Sequence, residues 1–195
     1  MNGEADPGFT SIRTTLQSAL RMPFTVAVTS SRPGDGKTEI AVGTARAFAA
    51  AGYATLIVDA NPQSPDVAAV LQLAALPAAA ALDADAFPTP VVTAGLPDAL
   101  SIASFQLLDD AAHAALRAFV ARARARYAVT IFDTADVDDG PFPTACCAAC
   151  DGVMLAVRYG RRRSADDQRL IATIEGAGGR VIGSVPTRFP ARAAR

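Results

Sequence analysis

A β-branched run, Thr25 to Ser30, passes through the loop Ser31-Arg32-Pro33-Gly34-Asp35-Gly36-Lys37-Thr38 into a stretch from Glu39 to Ala51. There Ile40, Val42, Ala45, Phe48 and Ala49 recur at helical spacing. A short buried strand, a glycine-rich turn and a helix in that order read as a phosphate-binding loop. Glycines at 34 and 36 let backbone N–H groups turn toward an anion, and the helix N-terminus adds positive potential. Lys37 sharpens the reading, because it is the single lysine among 18 basic residues. A chain that otherwise uses arginine for every cation has a chemical reason for this exception. A compact ammonium on a flexible stem reaches between phosphate oxygens where the broad guanidinium fork does not fit. Pro33, Gly34, Asp35, Gly36, Lys37, Thr38 and Glu39 are therefore the candidate nucleotide-binding residues. Lys37 is placed to bridge the β- and γ-phosphates, and the Thr38 hydroxyl to meet Mg²⁺. The common form of the pattern opens with glycine, where this chain has Ser31.

Composition fits one folded domain over residues 1–195, with an N-terminal helical segment at 1–22, an irregular Ala/Pro-rich loop at 74–97 and a tail at 189–195. Half the residues are hydrophobic (51%) and only 19% are charged, so a sizeable core is available. With 18 basic against 19 acidic residues the net charge is −1, which argues against nucleic acid as the main partner. No apolar stretch reaches the length of a membrane span and no signal-peptide pattern opens the chain, so the expected location is cytoplasmic. Cys146, Cys147 and Cys150 lie in an alanine-rich, helix-like stretch far from the lone histidine, His113. They read as buried reduced thiols rather than metal ligands.

Further apolar runs complete a pattern. Ala54 to Val58 leads into Asp59, and Ala128 to Phe132 leads into Asp133. Gly152–Val157 and Val181–Val185 are two more strands, and Leu100–Ala103 a short further one. Helices are expected from about Asp109 to Arg126 and over Ser164–Glu175. Strands alternating with helices of this length predict an α/β, doubly wound P-loop NTPase fold, with a mainly parallel sheet and helices on both faces. In such a sheet ligands gather at the carboxyl ends of the strands, so Asp59 and Asp133 should face the crevice that holds the phosphate loop. Two strand-end acids beside one phosphate loop imply Mg²⁺ chemistry. Arg122, Arg124 and Arg126 read as a solvated helix face. Arg161, Arg162 and Arg163 lie near the crevice and suit phosphate, anionic lipid or a protein partner.

With these residues placed, the chain resembles the bacterial tyrosine kinases (BY-kinases) that accompany capsule and exopolysaccharide synthesis, within the MinD/ParA class of P-loop ATPases. The likeness runs from about Phe9 to Phe189. It rests on the helix-like Phe9 to Gln17, the Walker A segment Ala27 to Thr38, the Walker A′ segment Leu56 to Asn61, the Walker B segment Tyr127 to Asp136, and Asp151 to Arg158. The resemblance implies ATP and Mg²⁺ as cofactors, with Lys37 and Thr38 on the phosphates and metal. Asp133 would support the metal, and Asp59 would be the base toward an attacking hydroxyl. Lys37, Asp59 and Asp133 are thus the candidate catalytic residues, and Thr38 and Asp133 the candidate metal residues. It also implies a membrane-anchored polysaccharide co-polymerase or activator as partner, a homo-oligomer, and a peripheral position at the inner membrane face.

Several positions depart from the family pattern. Walker A′ commonly reads Asp-x-Asp-x-Arg, whereas Asn61 and Gln63 replace its second acid and its arginine. Asp136 replaces a proline after Walker B, and Thr187 stands where relatives often place an asparagine near the base. Of the family's Glu-x-x-Arg-x-x-Arg helix motif only Arg13 remains, with Pro7 and Thr10 at the other places. The only tyrosines are Tyr53, Tyr127 and Tyr159, without the family's C-terminal cluster. Beside an ATPase or tyrosine autokinase, two readings therefore stay open: a non-catalytic nucleotide-dependent regulator of the polysaccharide machinery, and a ParA/MinD-like positioning ATPase.

Overall fold

The computed structural model describes residues 6–61, 66–73, 99–104, 112–161 and 164–188. Six strands form one sheet: β1 (Phe24–Thr29), β2 (Thr55–Ala60), β3 (Leu100–Ser104), β4 (Val129–Thr134), β5 (Gly152–Arg158) and β6 (Val181–Thr187). Their order is β3-β2-β4-β1-β5-β6, and every neighbouring pair is parallel. The expected short strand after Pro97 is present as β3. The Ala/Pro-rich loop at 74–97, Gln63, Arg162, Arg163 and the tail lie outside the described residues.

The helices are α1 (Pro7–Ala19), α2 (Lys37–Ala50), α3 (Asp66–Val70), α4 (Ala112–Arg126), α5 (Pro141–Ala149) and α6 (Ala165–Gly176). Alternation along each strand divides the core into two layers. Val26, Val28, Ile57, Ile102 and Ile131 face α1, α2 and α3 through Leu16, Ile40, Phe48 and Val67. Ala27, Val58, Phe132, Val153 and Leu155 face α4, α5 and α6 through Leu116, Phe119, Cys146 and Ile174. The sheet is covered on both faces, which is why its central strands read as unbroken apolar runs. Edge-to-face pairs, Phe24 on Phe48 and Phe119 on Phe132, tie one helix to the sheet on each side.

Two joints depend on particular residues. In α1 the Phe9 ring lies where a Cβ on Gly43 would be, with Phe9 Cζ 2.2 Å from that position, so α2 accepts α1 only because residue 43 is glycine. Four hydroxyls of α1 bond back to carbonyls four residues earlier, and this serine- and threonine-rich helix relies on packing rather than propensity. At the start of α6, Ser164 Oγ accepts the Asp167 N–H at 3.4 Å while Asp167 Oδ2 accepts the Ser164 N–H at 2.8 Å, a reciprocal cap.

The arginines near the end of α4 are not simply a solvated face. Arg124 pairs with Asp151, whose Oδ2 accepts the Thr25 N–H at 2.7 Å, and this chain of contacts pins α4 to β1 and β5. The three cysteines are buried free thiols. Burial pushes Cys146 and Cys150 well up and Cys147 to about 12.

Candidate functional site

The loop between β1 and α2 sits at the carboxyl edge of the sheet, beside the ends of β4 and β2. Gly34 (φ +75°) and Gly36 (φ +90°) hold the left-handed backbone that the turn needs. Gly36 also caps α2 without a side-chain hydrogen bond, so the first N–H groups of α2 are left for another partner. A Cβ at Gly36 would come within 3.1 Å of Thr187 Cβ. The end of β6 closes against the loop there: Thr187 Oγ1 donates to the Asp35 carbonyl at 2.6 Å, and Arg188 Nε to the Gly34 carbonyl at 2.9 Å. Neither contact was expected from the local pattern, because Thr187 and Asp35 lie 152 residues apart and meet only through strand order.

Asp59 and Asp133 are register partners on β2 and β4, and both are buried. The Asp59 carboxylate accepts the Asn61 and Val67 N–H groups, each at 3.3 Å. Burial outweighs these bonds and raises its pKa to about 6. Asp133 is raised further, to about 7. Burial dominates, the Thr38 hydroxyl donates to it and acts the other way, and the charge of Asp59 adds to the rise. Asp133 Oδ1 is buried with no hydrogen-bond partner. An unpartnered carboxylate oxygen beside a threonine hydroxyl and a second acid is an oxygen-only donor set, which suits Mg²⁺ with its retained waters. The residues present thus fit the metal.

Lys37 opens α2 and turns toward the end of β4. Its Nζ is 2.5 Å from Asp136 Oδ1 and 3.3 Å from Ser30 Oγ. Lys37, Thr38, Asp59 and Asp133 are brought to one end of the sheet, Asp35 is buried in the loop, and Pro33 and Glu39 are exposed beside it. The sequence marks Asp136 as an acid in place of the family's proline after Walker B, but its pairing with Lys37 needs β1 and β4 side by side.

A second charged network braces the loop from the β5–α6 side. Arg161 donates to Asp167 Oδ1 at 2.7 Å and to Ser31 Oγ at 3.1 Å, and stands 3.2 Å from Asp35 Oδ2. Burial works against the Asp167 carboxylate, but bonds from Ser31, the Ser164 N–H and Arg161 outweigh it and bring its pKa down to about 2. Arg32 reaches Asp166 at 2.8 Å on the surface. Of the three consecutive arginines, Arg161 therefore belongs to the loop's own support.

The model of the CobQ/CobB/MinD/ParA nucleotide binding domain matches residues 26–195. Among curated proteins, the tyrosine-protein kinase CpsD of Streptococcus pneumoniae is 36% identical over 61 residues, 31% of this chain and 27% of that protein. The match thus spans about a quarter of that relative's length. The kinase domain of the Escherichia coli tyrosine kinase ETK superposes with a TM-score of 0.78 at 15% identity, covering 96% of this chain and 76% of that one. Cobyrinic acid a,c-diamide synthase from Mycobacterium smegmatis, solved with an ATP analog and magnesium, gives 0.67 at 16% identity, covering 87% and 76%. At these identities the likeness shows a shared fold.

Proposed function

The chain belongs to the CobQ/CobB/MinD/ParA nucleotide-binding family, and from that premise we propose that it binds Mg-ATP and acts as a BY-kinase-like ATPase or tyrosine autokinase in capsule or exopolysaccharide assembly. Supporting this reading is the convergence of Lys37, Thr38, Asp59 and Asp133 at one sheet edge, with Asp133 Oδ1 buried and unpartnered. The CpsD match and the ATP-analog and magnesium complex of a family fold point the same way.

In this proposal the N–H groups of Gly34 to Thr38 and the Lys37 ammonium hold the phosphates, while Thr38 and Asp133 hold Mg²⁺. The metal, when bound, neutralises charge on the transferring phosphoryl group. Asp59 accepts the proton of the attacking hydroxyl or water, a task that a carboxylate with a pKa raised to about 6 performs well near neutral pH. Arg161 keeps the loop's outer wall in place through Ser31 and Asp35.

No helix among the described residues is long and apolar enough to cross a membrane. We assign the membrane contact to a separate anchored co-polymerase or activator, with this chain peripheral to it. A nucleotide-dependent regulator without turnover is the second reading, favoured by Asn61 in place of the second Walker A′ acid.

Phosphate release from Mg-ATP separates the two. The proposal expects slow release that needs Mg²⁺ and falls at least roughly a hundredfold in Asp59→Ala, the loss typical of a removed general base. No release from the wild type, with or without an anchored partner, would contradict catalysis and leave the regulator.

A further inference from the structure

The acid that holds the phosphate-loop lysine is neither strand-end carboxylate but Asp136, in the turn after β4. Asp136 Oδ1 lies 2.5 Å from Lys37 Nζ and accepts from Ser30 Oγ at 3.2 Å. Ser30 Oγ is also 3.3 Å from Lys37 Nζ, so ammonium, hydroxyl and carboxylate close a triangle. The paired side chains are 11% and 16% exposed, which shields them from the water and salt that weaken surface ion pairs. Asp136 also lines a cleft between this turn and α6, together with Ser30, Ser31, Val137 and Leu170, so its side chain is not sealed in the core.

One ammonium cannot neutralise two anions at full strength. In a phosphate loop the lysine serves the β- and γ-phosphates. An incoming terminal phosphate must therefore either displace Asp136, leaving a largely enclosed carboxylate without its cation, or settle beside it as a like charge. With magnesium bound, a nucleoside triphosphate carries one more negative charge than the diphosphate. The extra charge falls at the end of the polyphosphate that Lys37 serves.

We infer that Asp136 is a specificity-determining residue of the nucleotide site, biasing it toward nucleoside diphosphate over triphosphate by holding Lys37 as a resident anion. The inference rests on the nucleotide-binding reading above and adds to it a residue and a preference.

Calorimetric titration of Mg-ADP and Mg-ATP into the wild type, Asp136→Asn and Asp136→Ala tests it. The wild type is expected to bind Mg-ADP more tightly than Mg-ATP. In both variants the ratio of the ATP to the ADP dissociation constant falls by at least roughly tenfold, as removal of one nearby like charge requires. Asparagine keeps the shape of the side chain and alanine removes it, so a shared shift reports the charge. A merely structural role would weaken both nucleotides together and leave the ratio unchanged. Tighter wild-type binding of Mg-ATP, or an unaltered ratio in the variants while both nucleotides still bind, overturns the inference alone. If neither nucleotide binds any of the three proteins, the nucleotide-binding reading is overturned and this inference with it.

Discussion

The two strand-end acids carry opposing instructions: solvent has been removed from carboxyls whose proposed work needs their charge. Asp59 titrates near 6 and Asp133 near 7, against 3.8 for an unperturbed aspartate. Between those values the folded protein keeps protons that the unfolded chain has released. Stability from these groups is therefore complete below about 4 and is lost as pH rises through 6 to 7. Urea midpoints in metal-free buffer should fall between pH 5 and pH 8, and the fall should flatten in Asp133→Asn, which cannot ionise. An equal fall in that variant would show that the burial of Asp133 is not what destabilises its charged form. A bound Mg²⁺ would reverse the balance by giving the ionised oxygens a cation.

Among the elements, α1 docks on the core through Leu16 and Ile12 and meets α2 most closely where Phe9 lies over Gly43. Phe9 occupies the space over Gly43, so Gly43→Ala forces either the ring or the helix aside. Overpacking of this kind costs about 1–3 kcal/mol. The double variant Phe9→Ala with Gly43→Ala should cost less than the sum of the two single changes, because the clash vanishes with the ring. Denaturant unfolding of the four proteins measures the coupling, and strict additivity would mean that the two residues do not share the joint. The likeness of Phe9 to Gln17 to the family's N-terminal helix made α1 legible, yet its docking was not, since nothing local marks Gly43 as a socket rather than a weak helix position. The α6 cap was likewise half legible. Ser164 was an evident start, whereas the use of Asp167 as both cap and anchor for Arg161 depends on the loop that Arg161 reaches.

For the molecule as a whole, the sheet was legible because its central strands are buried on both faces and read as apolar runs, two of them closing on an aspartate. The phosphate loop was legible because its chemistry is local: two glycines, one lysine and one threonine within five residues. The contacts that tune the loop were not. Lys37 and Asp136 are separated by 99 residues and Thr187 and Asp35 by 152, and each pair meets only once β4, β1, β5 and β6 lie in that order. The proposed function divides along the same line: the residues proposed to bind the anion are adjacent in sequence, and the residue proposed to set selectivity reaches them only through the topology. The central claim is that Lys37 and a magnesium ion together make this edge of the sheet a nucleotide site. Calorimetric titration of Mg-ATP into the wild type and Lys37→Ala, with a magnesium-free control, tests it most directly. The account predicts saturable binding that is lost without Mg²⁺ and weakened roughly tenfold to a hundredfold or more without the lysine, as loss of a charge-assisted contact implies. Absence of binding in the wild type, or equal binding in Lys37→Ala, would contradict it.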